Sequence, residues 1–158
     1  MGRRRDNDNG HAAQIAALPV RWDDKGKLRV LMVTSRGTGR WVLPKGWMID
    51  GCKPWRAAEI EALEEAGARG HIGATPLGTY AYDKLMDDGT SVPCLVTVYP
   101  MHVERLKRRW KERDERERRW FSPKGAAKRV DEPDLKRLLL DAGAEPRKNS
   151  TIRKLLAA

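Results

Sequence analysis

The sequence predicts a mixed α/β sandwich that forms one domain. Two observations favour this fold class: runs of β-branched and apolar residues alternate with turn residues, and helical patterns occur in the middle of the chain and near its end. The 158 residues, 40% of them hydrophobic, are enough to enclose a single core. We find neither an internal repeat nor a linker that would divide the chain.

The predicted strands begin with a hairpin. The segments QIAALPVRW and LRVLMVTSR are rich in strand-forming residues and are separated by the turn DDKGK. Further strands are expected in RWVLPKG, ARGHIGATPLGTYAYDKL, SVPCLVTVYPMHV and RRWFS. We expect Pro100 to break the run SVPCLVTVYPMHV, because proline has no N–H to donate to a strand ladder.

Three helices are predicted, and the central one is the most informative. It runs from Pro54 to Glu65, with proline in its first turn and Gly67 as its C-terminal cap. A second helix is expected near residues 123–129. A third lies in EPDLKRLLLDAG, where one face carries Leu135, Leu138 and Leu139. The tail EPRKNSTIRKLLAA is interpreted as a short final helix or a frayed end.

The net charge and the cysteines limit which partners and which cellular compartment can be expected. The net charge of +10 favours a polyanionic partner: nucleic acid, an anionic surface or a phosphorylated small molecule. A basic surface without such a partner is the alternative. No segment is apolar enough to span a membrane, and MGRRRDNDNGHAA lacks the apolar stretch of a secretory signal. Cys52 and Cys94 match no zinc spacing and are expected to be free thiols, so we predict a cytoplasmic protein.

The central helix gathers three carboxylates on one side. Glu61, Glu64 and Glu65 are at i, i+3 and i+4 and fall within roughly a third of the helix circumference. Such a cluster costs stability unless something neutralises it, and Mg²⁺ or Mn²⁺, which prefer oxygen ligands, can do so. A solvated acidic face on an ordinary helix is the alternative interpretation.

The segment GWMIDGCKPWRAAEIEALEEAGA resembles the Nudix box, G-x5-E-x7-R-E-U-x-E-E-x-G-U, in which U is a bulky apolar residue. Its matching positions are Gly46, Glu61, Glu64, Glu65 and Gly67. The resemblance extends over residues 14–142, because the strand WVLPKG, the strand RRWFS and the late helix follow in the family's order. The segments VLMVTSR and RWVLPKG look most like the diphosphoinositol polyphosphate phosphohydrolase branch and its bacterial relatives.

The resemblance implies a Nudix-type α/β/α sandwich with a central mixed sheet. The Nudix domain is expected over residues 14–145. A flexible N-terminal tail over residues 1–13 would precede it, and a basic C-terminal tail or short helix over residues 146–158 would follow it.

Four positions depart from the box. Cys52 stands where the first Glu is usual and Ile60 where Arg is usual, while Ala62 and Ala68 are smaller than the usual apolar residues. In the family the missing Glu and Arg support the metal-binding glutamates. Because both are absent here, neither is left without its partner, a pattern expected if an ion pair has been replaced by apolar packing. The expected result is an active site of reduced activity; an inactive relative is the alternative.

The resemblance also implies the residues of the site. The metal ligands would be the backbone carbonyl of Gly46 with Glu61, Glu64 and Glu65, which would hold Mg²⁺ or Mn²⁺ against a diphosphate. The general base would be one of these glutamates or an acidic residue on the loop before RRWFS, where Glu117 is the candidate and Glu115 the reserve. For Glu117 and Glu115 an ordinary surface charge is the alternative.

Substrate phosphates need cations, and four lie close in sequence to the box: Lys45, Arg36, Arg40 and Arg21. Lys45, directly before Gly46, is the leading candidate, and each arginine taken singly is an ordinary surface residue in the alternative interpretation. Trp41, Trp47 and Trp55 either pack in the core or stack on a nucleobase. His102 near a strand end is expected to be a satisfied or exposed histidine rather than a catalytic one.

Three functions remain open. The first is a Mg²⁺-dependent Nudix hydrolase that cleaves a diphosphate in a phosphate-dense substrate, such as a diphosphoinositol polyphosphate or a dinucleoside polyphosphate. The second is a pyrophosphatase of nucleotide sugars or nucleoside triphosphates. The third is a degenerate domain that binds a nucleotide or RNA without hydrolysis through the basic segment RLKRRWKERDERERRW. Acidic residues within that segment disfavour nucleic acid. Hydrolysis of a phosphorylated small molecule is the preferred function, and the oligomeric state is open.

Overall fold

The computed structural model describes residues 5–6, 10–144 and 150–157. These residues form nine strands in one sheet and four helices. The strands are β1 (Arg5–Asp6), β2 (Ala12–Trp22), β3 (Leu28–Thr34), β4 (Trp41–Val42), β5 (Lys45–Trp47), β6 (Ala68–Ile72), β7 (Gly78–Leu85), β8 (Ser91–Leu106) and β9 (Arg118–Phe121). The helices are α1 (Pro54–Ala66), α2 (Pro123–Arg129), α3 (Pro133–Ala144) and α4 (Ser150–Ala157).

The sheet is mixed. Its main path runs β4-β3-β2-β8-β6, with β1 and β5 also paired to β2, β7 to β8 and β9 to β3. The pair β2–β8 is parallel, from Ala12 opposite Cys94 to Val20 opposite His102, and the other pairs are antiparallel. The predicted hairpin of β2 and β3 is therefore confirmed, in a sheet whose centre also contains a parallel pair.

Helices cover both faces of the sheet. Alternate residues of the central strands point to opposite sides, so Ile15 and Ala17 of β2 contribute to the core beneath α1, whereas Ala16 and Leu18 contribute to the core beneath α2 and α3. The predicted α/β/α sandwich with a central mixed sheet is confirmed. On α1 the fully buried face is built from small residues, Ala58, Ala62 and Ala66 among them, which allow the helix to lie close to the sheet.

The predicted break at Pro100 is wrong, because β8 continues through it to Leu106. Pro100 lies opposite Leu18 in the parallel pair, and its carbonyl accepts a hydrogen bond of 2.8 Å from the backbone N–H of Gly73. Proline is thus tolerated within β8, because its carbonyl accepts a hydrogen bond from a neighbouring segment even though it has no N–H to donate.

The two chain ends are described only in part. Residues 1–4, 7–9, 146–149 and 158 of the predicted tails, and residue 145 at the end of the predicted domain, lie outside the described residues. Strand β1 pairs with the start of β2. In α4, Ile152 and Leu155 are buried. The domain bounds of 14 and 145 stay predictions. Among the described residues, no helix combines the length and apolar character needed to cross a membrane.

Candidate active site

A cleft of about 710 Å³ opens beside the C-terminal half of α1 and strand β5. The loop between β3 and β4, strand β5, helix α1, the hairpin between β7 and β8 and the loop between β8 and β9 all contribute to it. Its lining mixes cations with carboxylates: Arg36, Arg40, Lys45, Lys84 and Arg116 with Glu61, Glu65, Asp83, Asp87 and Glu112. Such a lining suits an anionic ligand together with a cation.

Gly46 and Glu61 lie directly against each other in the cleft. Strand β5 holds Gly46 opposite Ile15 of β2, and α1 brings the Glu61 carboxyl group directly against it. A Cβ atom at residue 46 would lie 2.6 Å from both Cδ and Oε1 of Glu61. The φ angle of Gly46 is not in the left-handed region, so backbone conformation does not require glycine here. The requirement comes from the lack of space for a side chain.

Glu61 and Glu65 line the same cleft and influence one another's charge. Burial, and then the neighbouring Glu65, raise the pKa of Glu61 to about 8. Glu65 is only 5% exposed; burial raises its pKa, against the opposing effects of Arg116 and Lys45. Two carboxyl groups that ionise with difficulty in close proximity make a site where a divalent cation would be strongly favoured.

Glu64, the third predicted ligand, lies outside the cleft lining. Its carboxylate is 3.6 Å from Nζ of Lys111. The structure therefore brings two of the three predicted glutamates, with Gly46, to the cleft, and places Glu64 at its margin.

The loop of residues 107–117, here called the charged loop, contributes a carboxylate and a cation to the cleft. Glu112 is 8% exposed, and its Oε1 accepts a hydrogen bond of 2.8 Å from Nε of Arg116. Sequence reasoning missed both residues, since it treated this segment mainly as a solvated surface. The available signal was their i, i+4 spacing, the spacing of a stabilising ion pair on a helical turn.

The charged loop is held on the C-terminal end of α1, where the last carbonyls of a helix lack partners within the helix. Backbone N–H groups of the loop bind two of these carbonyls, the side chain of Trp110 binds a third, and Arg118 at the start of β9 binds the fourth. The four contacts are Glu112 N to Glu64 O (3.1 Å), Trp110 Nε1 to Glu65 O (3.1 Å), Arg118 Nη1 to Ala66 O (2.9 Å) and Lys107 N to Gly67 O (2.8 Å). The position of Glu112 is therefore fixed relative to the helix that carries Glu61 and Glu65.

The two predicted candidates for an extra base lie elsewhere on this loop. Glu117 is exposed and not part of the cleft lining; its backbone N–H binds Oγ1 of Thr34 at 2.9 Å. Glu115 is also exposed, with its carboxylate 3.6 Å from Nη1 of Arg36. Of the carboxylates on this loop, Glu112 is the one that lines the cleft.

Three of the four predicted phosphate ligands line the cleft. Lys45 has its Nζ 5.0 Å from the ring centroid of Tyr82, and burial lowers its pKa to about 8. Arg40 is held by Asp131 and Glu132 at 2.9 Å each, and Arg36 lies 3.9 Å from Glu112. Arg21 is outside the lining, with its guanidinium 4.1 Å from the ring centroid of Trp120.

Of the three tryptophans considered for base stacking, one lines the cleft and two do not. Trp47 lines the cleft, with Nζ of Lys84 5.9 Å from its ring centroid. Trp41 packs edge-on against Phe121, and Trp55 lies beside Tyr99. His102 lies on β8 outside the lining, and its buried Nδ1 has no hydrogen-bond partner among the described residues.

The donor set fits a hard divalent cation that keeps part of its own coordination shell. The oxygens available are the carboxylates of Glu61, Glu65 and Glu112 and the carbonyl of Gly46. The described residues contain no group of three or more His, Cys, Asp or Glu side chains that could hold a metal ion by themselves. Protein-bound Mg²⁺ usually has one or two carboxylate ligands, with water and substrate phosphates completing its shell.

The fold is an α/β sandwich in which a carboxylate-bearing helix lies beside a cleft lined by cations and carboxylates. The NUDIX domain family model matches residues 12–141, so the chain belongs to the NUDIX domain family. Among curated proteins it is similar to Nudix hydrolase 13, mitochondrial, of Arabidopsis thaliana, with 34% identity over 66% of this chain and 54% of the relative. Nudix hydrolase 12, mitochondrial, of the same plant is 36% identical over 66% of this chain and 53% of its own length.

Solved structures show the same fold. A Caenorhabditis elegans Ap4A hydrolase binary complex aligns with a TM-score of 0.61 at 20% identity, over 84% of this chain and 95% of that one. The NUDIX domain of Shewanella oneidensis NrtR complexed with ADP ribose aligns with a TM-score of 0.60 at 16% identity, over 85% and 86%. The chain spans about half the length of the two plant relatives.

Proposed function

We propose that the chain is a hydrolase of diphosphate (P–O–P) linkages that depends on Mg²⁺ or Mn²⁺. The observation that carries this proposal is the convergence of Glu61, Glu65 and Glu112 with Lys45 and Arg36 in one cleft. Carboxylates can hold a divalent cation there, and the basic side chains can bind the phosphate oxygens that approach it.

In this proposal each residue has a role set by its place. Glu61, Glu65 and the carbonyl of Gly46 hold the metal, with Glu64 beside them, and Lys45, Arg36 and Arg40 bind phosphate. When bound, the metal neutralises phosphate oxygens and makes a coordinated water more acidic. Hydrolysis adds water across the P–O–P bond, so a carboxylate must accept the proton of that water. We assign this role to Glu112 in preference to Glu117, because Glu112 lines the cleft.

For the substrate we propose a phosphate-dense molecule, either a diphosphoinositol polyphosphate or a dinucleoside polyphosphate. Several cations along the cleft support a chain of phosphates rather than one isolated group. Trp47 beside Lys84 supports the nucleotide form, because an aromatic side chain next to a cation suits a base joined to phosphate. The solved structures of an Ap4A hydrolase binary complex and of a NUDIX domain complexed with ADP ribose make Ap4A and ADP ribose worth testing.

Nucleotide sugars and nucleoside triphosphates are the alternative substrates within the same chemistry. A different function, nucleotide or RNA binding without hydrolysis, is supported by the departures at Cys52 and Ile60. Both side chains are half-buried. For RNA, however, the basic segment is partly committed to other contacts, because the charged loop binds α1 through its backbone and through Trp110.

The proposal is tested by product release from a panel at fixed ionic strength, with Mg²⁺, with Mn²⁺ and with a chelator. The panel consists of a diphosphoinositol pentakisphosphate, diadenosine tetraphosphate, ADP ribose, a nucleotide sugar and a nucleoside triphosphate. We expect metal-dependent turnover of the first or second compound. Turnover of the nucleotide sugar or the triphosphate alone would replace the proposed substrate, and saturable binding without turnover of any member would support the binding function.

A further inference from the structure

We propose that Arg116 is the positioning residue that orients the carboxylates of Glu65 and Glu112 in the cleft and supplies counter-charge to them. The inference rests on the proposed function, since it assumes that Glu65 helps to hold a divalent cation. It assigns to the charged loop a role that α1 cannot fill from its own residues.

Helix α1 provides no cation of its own to Glu61 or Glu65. Its single basic residue is Arg56, and the guanidinium of Arg56 binds Glu59, which lies outside the cleft lining. Residue 60, one position before Glu61, is isoleucine. The negative charges of Glu61 and Glu65 therefore need a positive partner from another part of the chain.

Arg116 supplies this positive charge, and all three nitrogens of its guanidinium make contacts. Nε donates to Oε1 of Glu112 at 2.8 Å, Nη1 donates to the backbone carbonyl of Thr34 at 3.0 Å, and Nη2 lies 3.6 Å from Oε2 of Glu65. The side chain is only 10% exposed, so these contacts are made largely out of water. A planar fork with fixed donors holds two carboxylates in defined orientations, which a mobile ammonium would not do.

Hydrogen bonds hold the backbone at Arg116 and at the residue that follows it. The N–H of Arg116 binds the carbonyl of Glu112 at 3.1 Å, and Glu112 is in turn bound to the carbonyl of Glu64. The N–H of Glu117 binds Oγ1 of Thr34 at 2.9 Å. Arg116 therefore joins the end of α1 to the end of β3, at the point where the carboxylates face the cleft.

The test measures Mn²⁺ binding alone, by electron paramagnetic resonance of free and bound Mn²⁺, so it needs no substrate. The variants are Arg116→Gln, Arg116→Lys and, as matched control, Arg113→Gln, which removes an exposed arginine of the same loop. Removing a positive charge should by itself strengthen cation binding. Weaker binding is therefore the signature of lost positioning.

We expect Arg116→Gln to weaken Mn²⁺ binding by about 10- to 100-fold, the usual cost of losing a residue that orients metal ligands. Arg116→Lys should weaken it by a smaller factor, and Arg113→Gln should stay within about 2-fold of the parent chain, as expected of a surface charge. Adding Ile60→Arg to Arg116→Gln should restore part of the loss, because it returns a cation to α1 one turn before Glu64. Unchanged or tighter binding in Arg116→Gln, or binding by Arg116→Lys equal to that of the parent chain, would overturn the proposal.

These outcomes separate the inference from the proposed function. If the parent chain binds Mn²⁺ but hydrolyses no member of the panel, the hydrolase proposal fails while the effect of Arg116 can still be measured. If the panel shows turnover but Arg116→Gln binds Mn²⁺ as the parent chain does, only the role assigned to Arg116 fails.

Discussion

Gly46 leaves no room for a side chain, and this constraint gives a test at the scale of one residue. Because a Cβ atom there would lie 2.6 Å from the Glu61 carboxyl group, Gly46→Ala should displace that group from the cleft. We expect kcat to fall by at least about 10-fold, as when the orientation of a metal ligand is disturbed. The matched variant is Gly37→Ala in the same cleft, where an added Cβ meets no heavy atom within 4 Å, and it should cost far less. Equal kcat values for the two variants would contradict the assigned contact.

The raised pKa of Glu61 predicts how pH changes the stability of the metal-free chain. Folding raises this pKa from the ordinary 4.5 to about 8, so the folded chain binds more protons than the unfolded chain between these values. Stability should therefore fall as the pH rises through this window. Urea denaturation at pH 5, 6.5 and 8 measures the effect, and Glu61→Gln should reduce it.

Mg²⁺ should reverse that loss at pH 8 and release protons as it binds, because its ligands must be deprotonated.

Lys45 titrates at higher pH than Glu61. Burial lowers the pKa of Lys45 from 10.5 to about 8, so its contribution increases stability only as the pH rises above about 8. A metal-free chain whose stability does not change between pH 5 and 8 would contradict the burial of Glu61.

Sequence spacing could predict Glu61 and Glu65, because positions i and i+4 of a helix meet on one side whatever the surrounding fold. It could not predict Glu112, which reaches the cleft only because the charged loop folds back onto α1. Glu117 is the candidate implied by the family resemblance, as an acidic residue on the loop before RRWFS. Proximity along the chain does not fix the direction of a loop side chain, and Glu117 is exposed.

At the scale of elements, the charged loop is a structural part of the site. The indole N–H of Trp110 donates to the carbonyl of Glu65, and the guanidinium of Arg118 lies 3.8 Å from the Trp110 ring centroid. These contacts connect the loop that carries Glu112 and Arg116 to the end of the helix that carries Glu65.

Trp110→Phe keeps an aromatic ring beneath Arg118 but removes the hydrogen bond to Glu65. We expect the free energy of unfolding to fall by about 1 kcal/mol, the usual net value of one such bond. The control is Trp120→Phe, which also keeps a ring beneath an arginine, Arg21, and loses no indole hydrogen bond that the structure shows. Urea denaturation compares the two, and equal losses would contradict the role of the Trp110 N–H.

Most helices and strands could be predicted from the local sequence, because residues at their ends mark where they begin and end. Pro54 and Gly67 bound α1, and the φ angle of +64° at Gly67 is the left-handed cap expected of glycine. The charged loop offered no such signal. Its mixed charges fit a solvated surface equally well, and only the carbonyls at the end of α1 determine where it lies.

At the scale of the whole molecule, the net charge of +10 alone does not distinguish phosphorylated small molecules from nucleic acid. Arg36, Arg40 and Arg116 are each held by carboxylates, so much of the positive charge near the cleft is paired. Because Arg36 and Arg40 are also the proposed phosphate ligands, this pairing does not separate the two kinds of partner. The acidic residues interleaved with the basic ones in the charged loop are what disfavour a dedicated nucleic-acid surface.

We therefore expect single-stranded RNA to bind no more tightly than about 1 µM at physiological salt, and to weaken steeply as salt increases, as in non-specific binding. Fluorescence anisotropy with a labelled RNA at several salt concentrations measures both quantities. Tight binding that persists in high salt would favour the binding function over hydrolysis.

The measurement that tests the central claim most directly compares the parent chain with Glu65→Gln and Glu59→Gln, using the panel member that is hydrolysed fastest in Mg²⁺. Glu59 is on the same helix but pairs with Arg56 outside the cleft, so it controls for the loss of a carboxylate from α1. We predict that kcat falls by at least about 100-fold in Glu65→Gln, at the upper end of losses for disturbed metal sites, and changes little in Glu59→Gln. Equal turnover by the parent chain and a correctly folded Glu65→Gln variant would contradict a metal-dependent site on α1.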